Sequence, residues 1–242
     1  MLSRNRLISL FCSVLVLLGF GPVAHSQDYH VLNKGIPNNN TANLLRRLHR
    51  AVLKRNPSLV IIMIGTNDMV NPAKMRPYAV YRNALDRIVT SIQQKGSDVL
   101  LLSLLPVDTA DLFSRHNKKR YDAPPEEKID TANKIIKQIS EAHHCLFLDI
   151  NAVFRSHHTP NPTASSLLRN KANSNRRDGV HPTAKGYALI AESIAAFLKH
   201  QGNQYPRIIC FGDSITFGAY AKGEGSIHGE TYPAELKRIL FP

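Results

Sequence analysis

The chain has 242 residues, 43% hydrophobic and 20% charged, with three Cys and no Trp. That balance excludes a disordered chain, and the length is that of one domain with its own core, needing no disulfide or metal staples. A formal net charge of +13 raises nucleic acid as a partner. No aromatic interleaving or nucleic-acid motif accompanies it, and a solvated basic surface is the simpler reading.

In chain order, residues 1–26 read as a secretory signal. Arg4 and Arg6 form a basic head, residues 7–20 an apolar run, and Ala24 and Ser26 supply small residues at the −3 and −1 positions of a cleavage site. The run is shorter than the about 20 apolar residues of a membrane span. Cys12 lacks the small preceding residue of a lipidated cysteine. The expectation is a secreted or periplasmic domain over residues 27–242, with no stable membrane insertion after cleavage.

Strand and helix signals then alternate. Residues 29–33 read as a short strand followed by a turn, and Thr41 as the cap of a helix bearing Leu44, Leu45, Leu48, Val52 and Leu53. Residues 59–64 are continuously apolar, the mark of a strand buried on both faces. A helix with Tyr78, Tyr81, Leu85, Ile88 and Ile92 on one face follows, then a buried strand over 99–105. A polar insertion, 108–125, precedes a helix marked by Ile129, Ala132, Ile136 and Ile139. A strand over 145–150 leads into a loop, 155–177, that holds no acidic residue. Pro182 opens a helix carrying Tyr187, Ala191, Ile194 and Leu198; residues 207–211 form a last buried strand and 235–240 a final helical piece. Cys145 and Cys210 fall in separate apolar runs and read as buried free thiols. Short apolar strands separated by helices imply a parallel sheet covered on both faces: a three-layer α/β/α sandwich.

In such sheets reactive groups collect at the carboxyl ends of the strands. Gly35 follows the first strand. Asn67 follows the second within Gly65-Thr66-Asn67-Asp68, and Ser214 follows the last within Gly212-Asp213-Ser214-Ile215-Thr216. Asp178 and His181 sit in Asp178-Gly179-Val180-His181 at a loop-to-helix junction. Each motif alone reads as a turn or a cap. Together they supply an acyl-transfer site. Ser214 is a nucleophile that needs a base, His181 can be that base, and Asp178 can orient its other ring nitrogen. The Gly35 N–H, the Asn67 amide and the Ser214 N–H are candidate donors to an oxyanion. The phosphate-loop and Gly-x-Ser-x-Gly patterns do not occur.

These segments resemble the sequence blocks of the SGNH hydrolases, also called the GDSL lipase/esterase family. The Ser214 segment resembles the nucleophile block. Asn33-x-Gly35-Ile36-Pro37-x-x-Asn40-Thr41 resembles the block of the oxyanion glycine, Gly65 to Asp68 that of the oxyanion asparagine, and Asp178-x-x-His181-Pro182 that of acid and base. Asn38 stands where the second block commonly has another Gly, and Asn tolerates the left-handed backbone such a turn requires. The resemblance implies a flavodoxin-like SGNH fold with a five-stranded parallel sheet, a catalytic triad of Ser214, His181 and Asp178, and an oxyanion hole of Gly35, Asn67 and Ser214. It implies no cofactor and no metal; His143, His144, Cys145, His157 and His158 have no partner at zinc-like spacing.

The family's first block here comes last, so the chain resembles a circular permutant, with residues 199–206 joining the old ends. The rival is a domain lacking its first strand, followed by the start of a second copy. Implied substrates are small-molecule or glycan esters, above all acetyl or other short acyl esters of carbohydrates. Lysophospholipid or lipid esters are the alternative within the family, and a catalytically silent carbohydrate-binding protein the alternative outside it. Arg115, Lys118, Lys119 and Arg120 in the insertion, with Arg155, Arg169, Lys171, Arg176 and Arg177 in the acid-free loop, should border the active face and favour anionic substrates or surfaces.

Overall fold

A computed structural model describes residues 30–242; the signal-like segment lies outside the described residues. Five strands, β1 (Val31–Gly35), β2 (Leu59–Met63), β3 (Asp98–Leu102), β4 (Leu146–Leu148) and β5 (Ile208–Gly212), form one sheet in the order β1-β5-β2-β3-β4. Every neighbouring pair is parallel. The last strand in sequence is therefore an interior strand, paired along one edge with β1 and along the other with β2.

The apolar runs alternate between two cores. Val60 and Ile62 of β2, Val99 and Leu101 of β3 and Ile209 and Phe211 of β5 pack with α1 (Thr41–Ala51), α3 (Tyr78–Gln93) and α5 (Pro125–Ala142). Leu59, Ile61 and Met63, with Leu100, Leu102, Ile208 and Cys210, point the other way. They meet α6 (Ile150–Ser156), α8 (Ala184–Gln201) and α10 (Tyr232–Leu240). A strand covered on both faces has no polar alternation, which is why these runs read as continuous. Shorter helices, α2 (Thr66–Val70), α4 (Thr109–Phe113), α7 (Lys171–Ser174) and α9 (Ser214–Phe217), sit after strands or inside loops.

Several boundaries differ from expectation for local reasons. Asn40, not Thr41, caps α1, because its side chain accepts from Asn43 N–H in a reciprocal capping box. Thr183, not Pro182, precedes the first turn of α8, accepting from Gly186 N–H. The edge strand β4 is shorter than its apolar run, leaving Cys145 half-buried, while Cys210 is buried; both thiols are free. The insertion and the acid-free loop are not structureless. Asp108 caps α4, and Asn170 and Asn173 form a capping box around α7.

Both edges of β5 carry ladders, and Ile208, Ile209, Cys210 and Phe211 are all fully buried or nearly so. A chain ending at residue 206 would leave β1 and the inner edge of β2 without partners and open both cores. We expect it to show no cooperative thermal transition by circular dichroism. A sharp melt from residues 27–206 would show that β5 is dispensable.

Candidate active site

The reactive side chains assemble at the carboxyl ends of the strands. Ser214 is the first residue of α9, directly after β5, and Asp213 caps that helix by accepting from Ile215 N–H at 2.9 Å. A residue in this position has an N–H with no acceptor in its own helix, aimed outward beside its side chain. Ser214 Oγ lies 3.0 Å from His181 Nε2. His181 Nδ1 lies 2.9 and 3.1 Å from the two carboxylate oxygens of Asp178.

Asp178 is fully buried, and it also accepts from the Val180 and His181 N–H groups at 3.0 and 2.8 Å. Burial pushes its carboxyl up. The hydrogen bond and charge of His181 and the charge of Arg115 outweigh that, and the group is held well below the usual carboxylate range. Arg115 is a residue that the sequence placed only in a basic insertion. Its Nη2 donates to the Asp178 carbonyl at 2.7 Å, and its Nη1 lies 3.9 Å from Oδ2. The turn itself is pinned on both sides. Asp108 N–H donates to the Gly179 carbonyl at 2.8 Å, and Arg169 N–H to the His181 carbonyl at 2.8 Å. Gly179 has φ +73, and a Cβ there would meet the Asp108 carbonyl oxygen at 2.5 Å, so the turn needs glycine.

Asn67, at the start of α2, is oriented by two bonds. Its Oδ1 accepts from Asn71 Nδ2 and its Nδ2 donates to the Asn39 carbonyl, each at 2.9 Å. The second Nδ2 hydrogen is left for a ligand, since an amide carries two. Gly35 does not join this group. Its N–H donates to Asn33 Oδ1 at 2.9 Å, and a Cβ at Gly35 would sit 2.0 Å from Phe217 N. The glycine serves close packing of β1 against α9, and its donor is spent. Asn38 takes its place at the cleft: it lines the pocket with Asn67, His181 and Ser214, in a left-handed conformation with φ +61. The asparagine was visible in the sequence as a departure from the block, yet the neighbouring glycine carried the stronger signal.

Arg47 ties the Asn38 loop to the serine turn. Its Nε donates to Asn39 Oδ1 and its Nη2 to the Gly212 carbonyl, both at 2.8 Å, while the guanidinium lies 4.5 Å from the centre of the Phe211 ring. Asp68 fixes the same loop from below through the N–H and hydroxyl of Thr41.

The cleft holds about 220 Å³ and no carboxylate lines it, since Asp178 stands behind His181. Arg115 and His116 contribute its basic wall. Burial, then the charges of Arg115 and Arg120, lower the His116 pKa below the ordinary histidine value. A larger groove of about 1130 Å³ lies at the opposite end of β5, among Leu198, Tyr205, Ile208, Leu240 and Phe241, and contains none of these reactive residues. Among the described residues, no three His, Cys, Asp or Glu side chains come together as a metal site. His143 instead pairs with Asp86 at 2.7 Å.

The chain matches the GDSL-like Lipase/Acylhydrolase family over residues 21–189. It is 26% identical to an acetylxylan esterase of Geobacillus stearothermophilus over 181 residues, 73% of this chain and 74% of the relative. Over a shorter stretch of 80 residues it is 30% identical to an arylesterase of Vibrio mimicus, 33% of this chain and 38% of that one. Among solved structures, a lipase/acylhydrolase from Enterococcus faecalis superposes with a TM-score of 0.55 at 22% identity, covering 69% of this chain and 74% of that one. A catalytic mutant of the Geobacillus acetylxylan esterase superposes with a TM-score of 0.54 at 23% identity, covering 71% of each chain.

Asp213 offers a test of the site's electrostatics. It is buried, its Oδ2 has no partner, and burial, against the Ile215 N–H bond, pushes its pKa up to about 7. A raised carboxyl pKa means that the folded state holds the proton more tightly. Its contribution to stability is complete below the unfolded value of about 4 and is lost as pH rises through about 7. Asp213→Asn keeps the capping oxygen and removes the ionisation. The variant's Tm should equal or trail the wild type at pH 4 and gain on it progressively up to about pH 8, read by thermal melts across that range. Parallel curves would mean that Asp213 ionises without cost.

Proposed function

We propose that this chain, which belongs to the GDSL-like lipase/acylhydrolase family and is a carboxylic ester hydrolase, works through Ser214, His181 and Asp178. The carrying observation is the continuous line from Ser214 Oγ through His181 to Asp178, with contacts of 3.0 and 2.9 Å. Ser214 Oγ attacks the acyl carbonyl while His181 Nε2 takes its proton. Asp178 stays ionised, holds the tautomer with hydrogen on Nδ1 and stabilises the imidazolium. The tetrahedral oxyanion is met by the Ser214 N–H and the free Nδ2 hydrogen of Asn67. We assign the third donor to the backbone N–H of Asn38, in place of Gly35. Collapse of the intermediate transfers the proton from His181 to the leaving alcohol. Water, activated by the same imidazole, then releases the acid and restores Ser214.

The substrate we propose is a short acyl ester, above all an acetyl ester, of a carbohydrate. An acetylxylan esterase relative and a cleft of about 220 Å³ support it. A lysophospholipid would need room for a long chain beside Ser214, and the apolar groove of about 1130 Å³ lies at the other end of the sheet. Residues 1–26 would direct the domain to the cell exterior or periplasm; among the described residues no helix is long and apolar enough to cross a membrane.

The block order is read as a circular permutation. In support, β5 fills an interior position, and His30 stacks on Phe241 at 4.6 Å, so the two ends of the described segment meet. Both are what a permuted single domain requires.

Ser214→Ala should abolish hydrolysis of 4-nitrophenyl acetate with the thermal melt unchanged, and wild type alone should label with a fluorophosphonate probe. Substantial turnover by the variant would end the assignment, and a wild type inert to both would favour a silent binding protein. Asn67→Ala should lower kcat by about 10²–10³ with a much smaller effect on KM, as for loss of one oxyanion donor.

A further inference from the structure

Tyr220 stands at the lip of the cleft, and its surroundings are unusual. It is 46% exposed and has φ +67, a conformation that aromatic residues rarely adopt. Its ring and that of His181 meet edge to face, with centroids 5.2 Å apart. Two guanidinium groups lie over the same ring, Arg169 at 5.1 Å and Arg176 at 4.7 Å.

Among the described residues neither arginine forms an ion pair, and Arg169 Nε is buried without a hydrogen-bond partner. The neighbouring acids are otherwise engaged. Asp178 faces His181 and Arg115, Asp111 holds Arg177 at 2.9 Å, and Glu224, which accepts the Tyr220 N–H at 3.1 Å, forms no ion pair with either arginine. Two like charges have thus been gathered on one aromatic ring at the mouth of a cleft with no carboxylate in its wall. Such a pair is costly unless something anionic joins it.

We propose that Arg169, Arg176 and Tyr220 form a subsite for a carboxylate on the alcohol part of the substrate, so that the enzyme prefers acyl esters of acidic carbohydrates, uronates, over neutral ones. This rests on the esterase reading above and names its substrate class. Arginine suits the role because its planar fork pairs with both oxygens of a carboxylate while its face remains on the ring. The ring in turn is fixed against His181, so an anion held there sits beside the scissile ester. Binding energy gathered at that distance from the reacting carbonyl positions the ester for attack by Ser214.

The test compares 4-acetoxybenzoate with its neutral methyl ester, methyl 4-acetoxybenzoate, in wild type, Arg176→Gln, Arg169→Gln and Arg176→Lys. The readout is the ratio of kcat/KM for the charged over the neutral substrate, which cancels any general loss of activity. Each Gln substitution should lower that ratio about two- to fivefold, mainly through KM, and Arg176→Lys should restore part of it. Raising NaCl from about 20 mM to about 500 mM should lower the wild-type ratio and barely move that of the double Gln variant. If both esters are hydrolysed with a ratio indifferent to salt and to the substitutions, the subsite is wrong and the esterase reading stands. If neither ester is hydrolysed, both fall together.

Discussion

The site depends on the pairing of β5 with two neighbours that precede it by far in sequence. Val31 to Gly35 and Leu59 to Met63 present their inner edges to Ile208 to Gly212, and the register sets Gly35 and Met63 beside Gly212. Once that register is fixed, Ser214 must emerge between the Asn38 loop and the Asn67 helix, because each begins at the end of a flanking strand. Gly212 makes the approach possible: a Cβ there would fall 2.4 Å from the Met63 carbonyl oxygen and 2.1 Å from Thr216 Oγ1. Ser214 is thus positioned by strand pairings between segments far apart in sequence, and such pairings carry the loop-closure cost before any reward.

Three buried carboxylates near that junction show how partners decide the state of a charge. Asp178 accepts hydrogen bonds from one side chain and two backbone N–H groups and faces Arg115, and it stays ionised. Asp68 has the N–H and hydroxyl of Thr41, which only partly offset burial, and its pKa rises to about 6. Asp213 has a single backbone donor and rises further. The acid with the most donors is the one adjoining His181. That is what a group stabilising an imidazolium needs, whereas a carboxyl that took the proton itself would leave the base unsupported. The arrangement separates a structural use of aspartate, capping and tethering loops, from an electrostatic one around a single junction of the fold.

Much of this was legible in the sequence, and the failures have physical causes. Continuous apolar runs located the three interior strands, β2, β3 and β5, because burial on both faces suppresses alternation, whereas the edge strands β1 and β4 are only partly buried and their bounds shifted. Four short blocks singled out Ser214, His181, Asp178 and Asn67 as candidates, and the fold brings these side chains together around one cleft. Gly35 misled. A glycine after a strand signals close approach, and the approach here is to the Phe217 backbone rather than to a ligand. Asn38 was obscured because an asparagine in left-handed geometry looks like any turn residue. Arg115 and Arg47 act through bonds to carbonyls more than sixty residues away, at Asp178 and Gly212, and no local pattern encodes such a contact. At α1 the cap slipped by a residue because two adjacent side chains could cap and only Asn40 has the reciprocal partner, Asn43.

The positive charge of the chain acquires a different meaning from the same geometry. A net +13 spread evenly would chiefly aid solubility and nonspecific adhesion to anions. Here some of the basic loop residues are committed to the fold: Arg177 to Asp111, and Arg155 to Asn151 and Asp130. Arg115 is partly committed, through the Asp178 carbonyl, while remaining in the cleft wall. Arg169 and Arg176 converge instead on one strained tyrosine beside the base. Arg169 is half-buried and its Nε lacks a hydrogen-bond partner, a cost that solubility alone does not explain. Under the subsite proposed above, the counterion of this pair would be a carboxylate of the substrate, held against a ring that itself packs on His181.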